Sequence, residues 1–465
     1  MKSIKKKERR KNNKGTRRTM GGRAIDAGSY GCVFKPAIKC ADSTIPYSSK
    51  NISKLMYKED TDAELIEMAK VKKFVERIPN KEDYFLISNT YECQPDKLNE
   101  EDLSYFDKKC RLFTKRGITS SEVNNKLNLM SLIVMPNGGL NLEKFFLKMF
   151  EMPEKEMHQL FINTNTALIK LLVNGIVPLT KMGFNHYDVK AGNILISEDG
   201  RARLIDWGLA GENDGLTVPE TIQNRSIAFN MPFSDIFFNN FVKTWLAESF
   251  HKIRASPNLR DKTTGQKELL KIVAVNMINE SIAKTSEGHY DYITGDILHD
   301  IYKVYASKNI YNRVDYNILT TNVLVEYVHA VLVAYVNENG NFDDAKYFYD
   351  VFSKNVDIWG FLLSYVPIIE FGAEKFHIDI VNAVCRILLK YCFSPEFATK
   401  PIILNELTLD LQSLNAIASG VVRKHSKSPL VKSRSRKREG MANGQSNNLS
   451  IRKFDLNNKD ITMDF

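Results

Sequence analysis

Between His186 and Gly208 the sequence brackets two short apolar runs with polar, chemically capable residues, and this restricts the fold more than any other stretch of the 465 residues. The order is His186-Tyr187-Asp188-Val189-Lys190-Ala191-Gly192-Asn193, then Ile194-Leu195-Ile196, a turn at 197–200, Arg203-Leu204-Ile205, and finally Asp206-Trp207-Gly208. Two β-rich runs joined by a turn predict a hairpin. A hairpin returns the chain to the end from which it started. Asn193 and Asp206, thirteen positions apart, should therefore meet there.

Those residue types suit phosphoryl transfer. The phosphate charges of a nucleotide need neutralising, and amide and carboxylate oxygens such as those of Asn193 and Asp206 can hold hard Mg²⁺ ions against them. Asp188, on the adjoining loop, can orient a hydroxyl and accept its proton. Lys190 can offset charge on the group in transit.

This segment resembles the H-R-D-x-K-x-x-N catalytic loop and the D-F-G metal motif of eukaryotic-type protein kinases, with Tyr187 in place of the arginine and Trp207 in place of the phenylalanine. The lysine two positions after the aspartate resembles the serine/threonine branch. The resemblance implies an α+β, two-lobed protein-kinase-like fold with a β-rich N-lobe and an α-helical C-lobe. It also implies Asp188 and Lys190 as catalytic residues, Asn193 and Asp206 as metal ligands, ATP and Mg²⁺ as cofactors, and serine or threonine of a protein substrate as acceptor. With Tyr187 where the arginine stands, activity is expected not to need a phosphate on the activation segment.

Further parts of the chain extend the resemblance. Ile25-Asp26-Ala27-Gly28-Ser29-Tyr30-Gly31-Cys32-Val33 is similar to the glycine-rich loop. Gly28, Ser29 and Gly31 would approach the phosphates, and Ile25 and Val33 would cover the adenine. Lys54 resembles the strand lysine that contacts the phosphates, with Lys58 as the alternative. Its acidic partner on the following helix is Glu64, with Glu67 one turn on as the alternative. Residues 134–139 resemble the hinge. Asp357-Ile358-Trp359-Gly360-Phe361 looks like the start of the buried helix whose aspartate braces the catalytic-loop backbone. Only Pro232 survives of the A-P-E motif, and residues 234–353 read as a large helical insertion. These departures resemble divergent kinases of large DNA viruses, those of giant viruses above all. A weak pseudokinase scaffold and a small-molecule kinase are the alternative functions.

The pattern of apolar residues agrees with a mixed fold. Strands are expected at 23–25, 32–34, 51–56 and 132–135. Leu65, Met68, Ala69, Val71, Phe74 and Val75 recur at helical spacing over 62–77, and helical patterns dominate from 154 onward. The expected organisation is a tail at 1–20, an N-lobe at 21–138, a C-lobe at 139–420 and a tail at 421–465.

Charge is concentrated in those tails. Residues 1–20 carry +9 and residues 421–440 carry +7, so the rest carries about −6 of the net +10. Segments so basic and poor in apolar residues should be disordered and could contact polyanions. The six cysteines, Cys32, Cys40, Cys93, Cys110, Cys385 and Cys392, lack regular spacing and read as reduced thiols of an intracellular protein, in host cell or virion if viral. No run reads as a transmembrane segment, and the oligomeric state is left open.

Overall fold

The computed structural model describes residues 22–28, 31–255, 264–284, 288–306, 316–337 and 341–427. Ser29, the 1–20 tail and residues 428–465 lie outside the described residues.

A sheet-rich region comes first. Strands β1 (Arg23–Gly28), β2 (Gly31–Lys35), β3 (Asn51–Tyr57), β4 (Tyr91–Cys93) and β5 (Met130–Pro136) form one antiparallel sheet in the order β1-β2-β3-β5-β4. β1 and β2 close at Gly28 opposite Gly31, with a register shift between Ala24 and Asp26. Gly31 is required here because β3 passes so close that a Cβ would lie 2.7 Å from the Leu55 carbonyl oxygen. Ala24, Cys32, Phe34, Leu55, Leu132 and Val134 are buried together with Phe106, Phe113 and Ile118 from the loop and short helices between β4 and β5.

Cysteine pairing differs from the sequence expectation. Cys32 is bonded to Cys110 and Cys40 to Cys93, across 78 and 53 residues, while Cys385 and Cys392 are free and buried. The partners are far apart in sequence because the sheet and the β4–β5 connection bring them together. The reduced-thiol reading is corrected for four of the six, and it no longer supplies a ground for an intracellular setting. Both bridges close long loops, so each is expected to add about 2–4 kcal/mol to stability. Complete reduction, verified by thiol titration, should lower the thermal unfolding midpoint. An unchanged midpoint would show that the bridges stabilise nothing.

After β3 the chain enters α1 (Lys58–Val75), whose Val71 and Val75 are buried while Ile66 is exposed. The short strands β6 (Leu140–Asn141), β7 (Phe184–Asn185), β8 (Ile194–Ile196), β9 (Ala202–Leu204) and β10 (Gly211–Glu212) arrange themselves in two small sheets, β6-β8-β9 and β10-β7. β8 and β9 pair antiparallel, Ile194 opposite Leu204, which is the hairpin expected from sequence.

Helices fill most of the remainder. The helix Glu154–Leu171 continues through a π turn, Leu172–Ile176, into Val177–Lys181. This 28-residue run is the one helix among the described residues long and apolar enough to cross a membrane, a property the sequence reading missed. Phe161, Leu168, Leu171, Leu172 and Ile176 along it are buried in the large core. Within 234–353 lie the helices Asn240–Ala255, Thr264–Lys284, Leu298–Ala306 and Tyr316–Tyr335. They share that same core: Phe233 stands 5.4 Å from Tyr327 and 5.1 Å from Trp359, ring to ring. The last helix, Leu404–Lys427, runs through 421–427, which composition had assigned to the tail. The physical reason is that Leu407, Leu411, Leu414, Ala418 and Val421, three or four residues apart, are buried along it.

Candidate active site

The site is built on a buried carboxylate. Asp357, inside the helix Ser353–Leu363 rather than capping its start, is 2% exposed. Its Oδ2 accepts from His186 N at 2.8 Å and Asn185 Nδ2 at 3.0 Å, and its Oδ1 accepts from Tyr187 N at 2.9 Å. These bonds satisfy backbone donors that no regular element pairs. They also fix Tyr187 at φ +58°, where non-glycine residues seldom sit. One turn on, Gly360 lets the helix touch the loop, since a Cβ there would lie 2.2 Å from the Val189 carbonyl oxygen. Burial pushes the Asp357 carboxyl up, and His186 together with the donors pulls against that shift.

His186 connects this brace to the next strand. Its Nδ1 lies 3.2 Å from Asp188 N, from which it accepts, and its Nε2 lies 3.0 Å from the Ile205 carbonyl, to which it donates. This assignment needs a neutral ring. Burial lowers the His186 pKa below its ordinary 6.5, with Asp357 and Asp188 opposing. A histidine with a depressed folded value contributes stability that is complete above 6.5 and is lost as pH falls through the lower folded value. Thermal unfolding midpoints should therefore decline from about pH 6.5 toward pH 5, and more steeply than in His186→Asn. Equal slopes would remove His186 as the cause.

Asp188 stands at the centre of four donated contacts. Lys190 Nζ reaches its Oδ1 at 3.0 Å and Oδ2 at 2.7 Å, Asn193 Nδ2 reaches Oδ2 at 2.9 Å, and Asn230 Nδ2 reaches Oδ1 at 3.0 Å. All are N–H donors, and those from Lys190 are charge-assisted. Asn193 also gives Nδ2 to the Asp188 carbonyl at 2.9 Å, leaving its Oδ1 as the acceptor end. The backbone bond from Ile205 N to Asn193 O, 3.0 Å, closes the β8–β9 hairpin and puts Asp206 next to this group. Asp206 is exposed, at φ +67°. No group of three or more His, Cys, Asp or Glu side chains is assembled for a metal among the described residues. Asn193 Oδ1 and the Asp206 carboxylate are hard oxygen donors that fit Mg²⁺, an ion that takes one or two protein groups and completes its shell with phosphate oxygens and water.

Lys54 lies on β3 between Val33 of β2 and Ile133 of β5. Its Nζ pairs with Glu64 of α1, while Glu67 pairs with Lys70 at 2.7 Å, so the structure selects Glu64 of the two alternatives. Among the described residues no hydrogen bond joins this ion pair to the Asp188 group. Of the expected nucleotide contacts, Gly28 and Gly31 face each other across β1–β2 and Val33 is partly buried, whereas Ile25 is 41% exposed. Past β5, Asn137 N bonds to Lys50 O at 3.0 Å and fixes the exit of the hinge-like segment.

Trp207 is buried, with ring centroids 4.7 Å from His186, 5.6 Å from Phe85 and 6.5 Å from Phe184. Tyr187 is buried too, and its hydroxyl donates to Asn213 Oδ1. Asn213 Nδ2 in turn donates to Asn185 Oδ1 at 2.7 Å. Tyr187 thus enters an uncharged network that ends on the residues that Asp357 braces. An arginine does reach the loop from elsewhere, because Arg225 donates to the Tyr187 carbonyl at 3.2 Å. The sequence reading missed Asn213, Arg225 and Asn230. Each lies 26 to 42 residues from its partner, in a segment with no motif to mark it.

No family model matches the chain. Among solved structures, the ROP18 kinase domain in complex with AMP-PNP and sucrose is similar, at 11% identity and a TM-score of 0.33, over 87% of this chain and 82% of that one. The likeness is distant.

Proposed function

We propose that the chain is a protein kinase that transfers the γ-phosphoryl group of ATP to serine or threonine hydroxyls of protein substrates with Mg²⁺. The observation that carries this reading is the Asp188 carboxylate, held by Lys190, Asn193 and Asn230 on a loop that Asp357 braces. Each Asp188 oxygen receives two N–H contacts, so a substrate hydroxyl takes the place of one of them, a Lys190 contact, as it hands its proton to the carboxylate.

In the transfer, the acceptor oxygen forms its bond to the γ-phosphorus as the bond from that phosphorus to the β–γ bridging oxygen breaks. Asp188 takes the hydroxyl proton and ADP leaves. Lys190 is the cation beside the acceptor and offsets charge on the phosphoryl oxygens. Lys54, oriented by Glu64, would hold phosphate oxygens of the nucleotide, and Gly28 and Gly31 let the β1–β2 backbone come near them. Asn193 and Asp206 would hold Mg²⁺, which when bound neutralises phosphate charge. The packing of Trp207 against the His186, Phe85 and Phe184 rings keeps the Asp206 turn against His186.

Lys190 supports a protein hydroxyl over a small-molecule acceptor. The test is incubation of the full chain with labelled ATP, Mg²⁺ and generic basic and acidic proteins, followed by phosphoamino-acid analysis. Label in phosphoserine or phosphothreonine is expected. Label confined to small hydroxyl compounds would replace the proposal, and nucleotide binding with no transfer would leave a scaffold.

A further inference from the structure

Residues 211–217 follow Asp206 and are tied to the catalytic loop at one end. Gly211 and Glu212 pair with Asn185 and Phe184, and Asn213 N donates to the Gly183 carbonyl at 2.7 Å. The Asn213 side chain joins the Tyr187 hydroxyl to Asn185. The other end is a turn built on Asp214, whose Oδ1 accepts from Leu216 N and Thr217 N, both at 2.8 Å, and whose Oδ2 accepts from Thr217 Oγ1 at 2.7 Å. These donors hold the Asp214 carboxyl well below the usual carboxylate range, so it is an anion at neutral pH.

A tyrosine from the 234–353 region closes this turn. The Tyr349 hydroxyl lies 2.8 Å from Asp214 Oδ1 and within hydrogen-bond reach of the Thr217 carbonyl. One proton with two acceptors in range keeps the phenol bonded to the turn in either orientation. Burial and the Asp214 carboxylate push the Tyr349 phenol up, so it remains a donor. Its backbone belongs to a π turn, Phe348–Phe352, in which Phe348, Val351 and Phe352 are buried in the large core. Wide turns of this kind recur at functional sites. The Tyr349 ring meets Phe348 edge-on at 5.0 Å and is itself only partly buried. A fixed base and an emerging phenol make it an anchor for the exposed Asp214 and Thr217.

We propose that Tyr349 is a positioning residue for phosphoryl transfer: its hydroxyl latches the Asp214–Thr217 turn, the turn holds Asn213, and Asn213 holds Tyr187 beside Asp188. This rests on the kinase reading above. The 234–353 region thereby orders the segment after Asp206 with an uncharged hydroxyl in place of a phosphate. Negative charge added at Thr217 would face the Asp214 anion and open the latch.

The test uses the full chain with ATP, Mg²⁺ and a generic basic protein as acceptor. Tyr349→Phe keeps the ring and removes the proton. It should lower kcat about three- to tenfold, the range that one exposed hydrogen bond can shift an equilibrium, with the KM for ATP and the thermal midpoint close to those of the unaltered chain. In an Asn213→Ala background the same substitution should lower kcat by less than about twofold more, because the link is already cut. Thr217→Glu should lower kcat as Tyr349→Phe does. An unchanged kcat in Tyr349→Phe, a rise in the KM for ATP that matches the fall in kcat, a fully additive loss with Asn213→Ala, or a gain of activity in Thr217→Glu overturns the latch. If that happens while Asp188→Asn is inactive, the kinase reading stands and only the latch falls. If the unaltered chain phosphorylates neither basic nor acidic proteins, both fall.

Discussion

Asp188→Asn should slow phosphoryl transfer by about 10²–10⁴-fold while leaving nucleotide affinity close to that of the unaltered chain. The side chain keeps its size but loses the ability to take a proton. It also receives donors that the carboxylate accepted from both sides: Lys190 on both oxygens, Asn193 on Oδ2 and Asn230 on Oδ1. An amide turned either way sets its NH₂ against one of them, so the loop loses at least one bond as well as the base. None of these contacts touches the Lys54–Glu64 pair, which sits between β3 and α1. Single-turnover transfer measures the chemical step, and calorimetry with ATP and Mg²⁺ measures binding. Turnover like that of the unaltered chain would remove Asp188 from the mechanism. A parallel loss of binding and rate would instead mean that the substitution disturbs the loop as a whole.

Asp188, Lys190, Asn193 and Asp206 were legible in sequence because one hairpin joins them, and hairpins are local. Helical phase narrowed the acidic partner of Lys54 only to Glu64 or Glu67, one turn apart on the same face of α1, and the pairing with Glu64 comes from the structure. Asp357 was marked by its neighbours Trp359 and Gly360, though the helix begins four residues earlier than the motif. The remaining partners depended on contacts across the chain. Nothing local marks Asn230 as a donor to Asp188 or His289 as an acceptor for Phe229. The cysteine pairs illustrate the same limit, because Cys32 meets Cys110 only after β2 and the β4–β5 connection have packed. Residues 421–427 show a different failure. Basic composition suggested a tail, but one apolar residue every three or four positions, ending at the buried Val421, is enough to hold a helix on the core.

Asp357→Ala should cost about 3–5 kcal/mol of folding stability, a larger effect than most single substitutions produce. Three donors lose their acceptor at once: the backbone N–H groups of His186 and Tyr187, and Asn185 Nδ2. Asn185 can still give Nδ2 to the Ser353 carbonyl at 2.9 Å, so the uncompensated loss falls on the two backbone groups, in a region where water does not replace them. Asparagine at 357 offers one acceptor oxygen and turns an NH₂ toward a donor, so it should rescue only part of the loss. Because Tyr187 is kept at φ +58° by this bond, its release should also displace Asp188, the next residue, and lower kcat even in the fraction that remains folded. Urea unfolding at constant m-value measures the first effect, and kcat per folded molecule at low temperature measures the second. A loss of under about 1 kcal/mol would show that the buried carboxylate contributes little beyond its own desolvation. Full activity in the folded fraction would show that the catalytic loop keeps its conformation without the brace, and the left-handed turn at Tyr187 would then have to be maintained by Asn213 and Arg225.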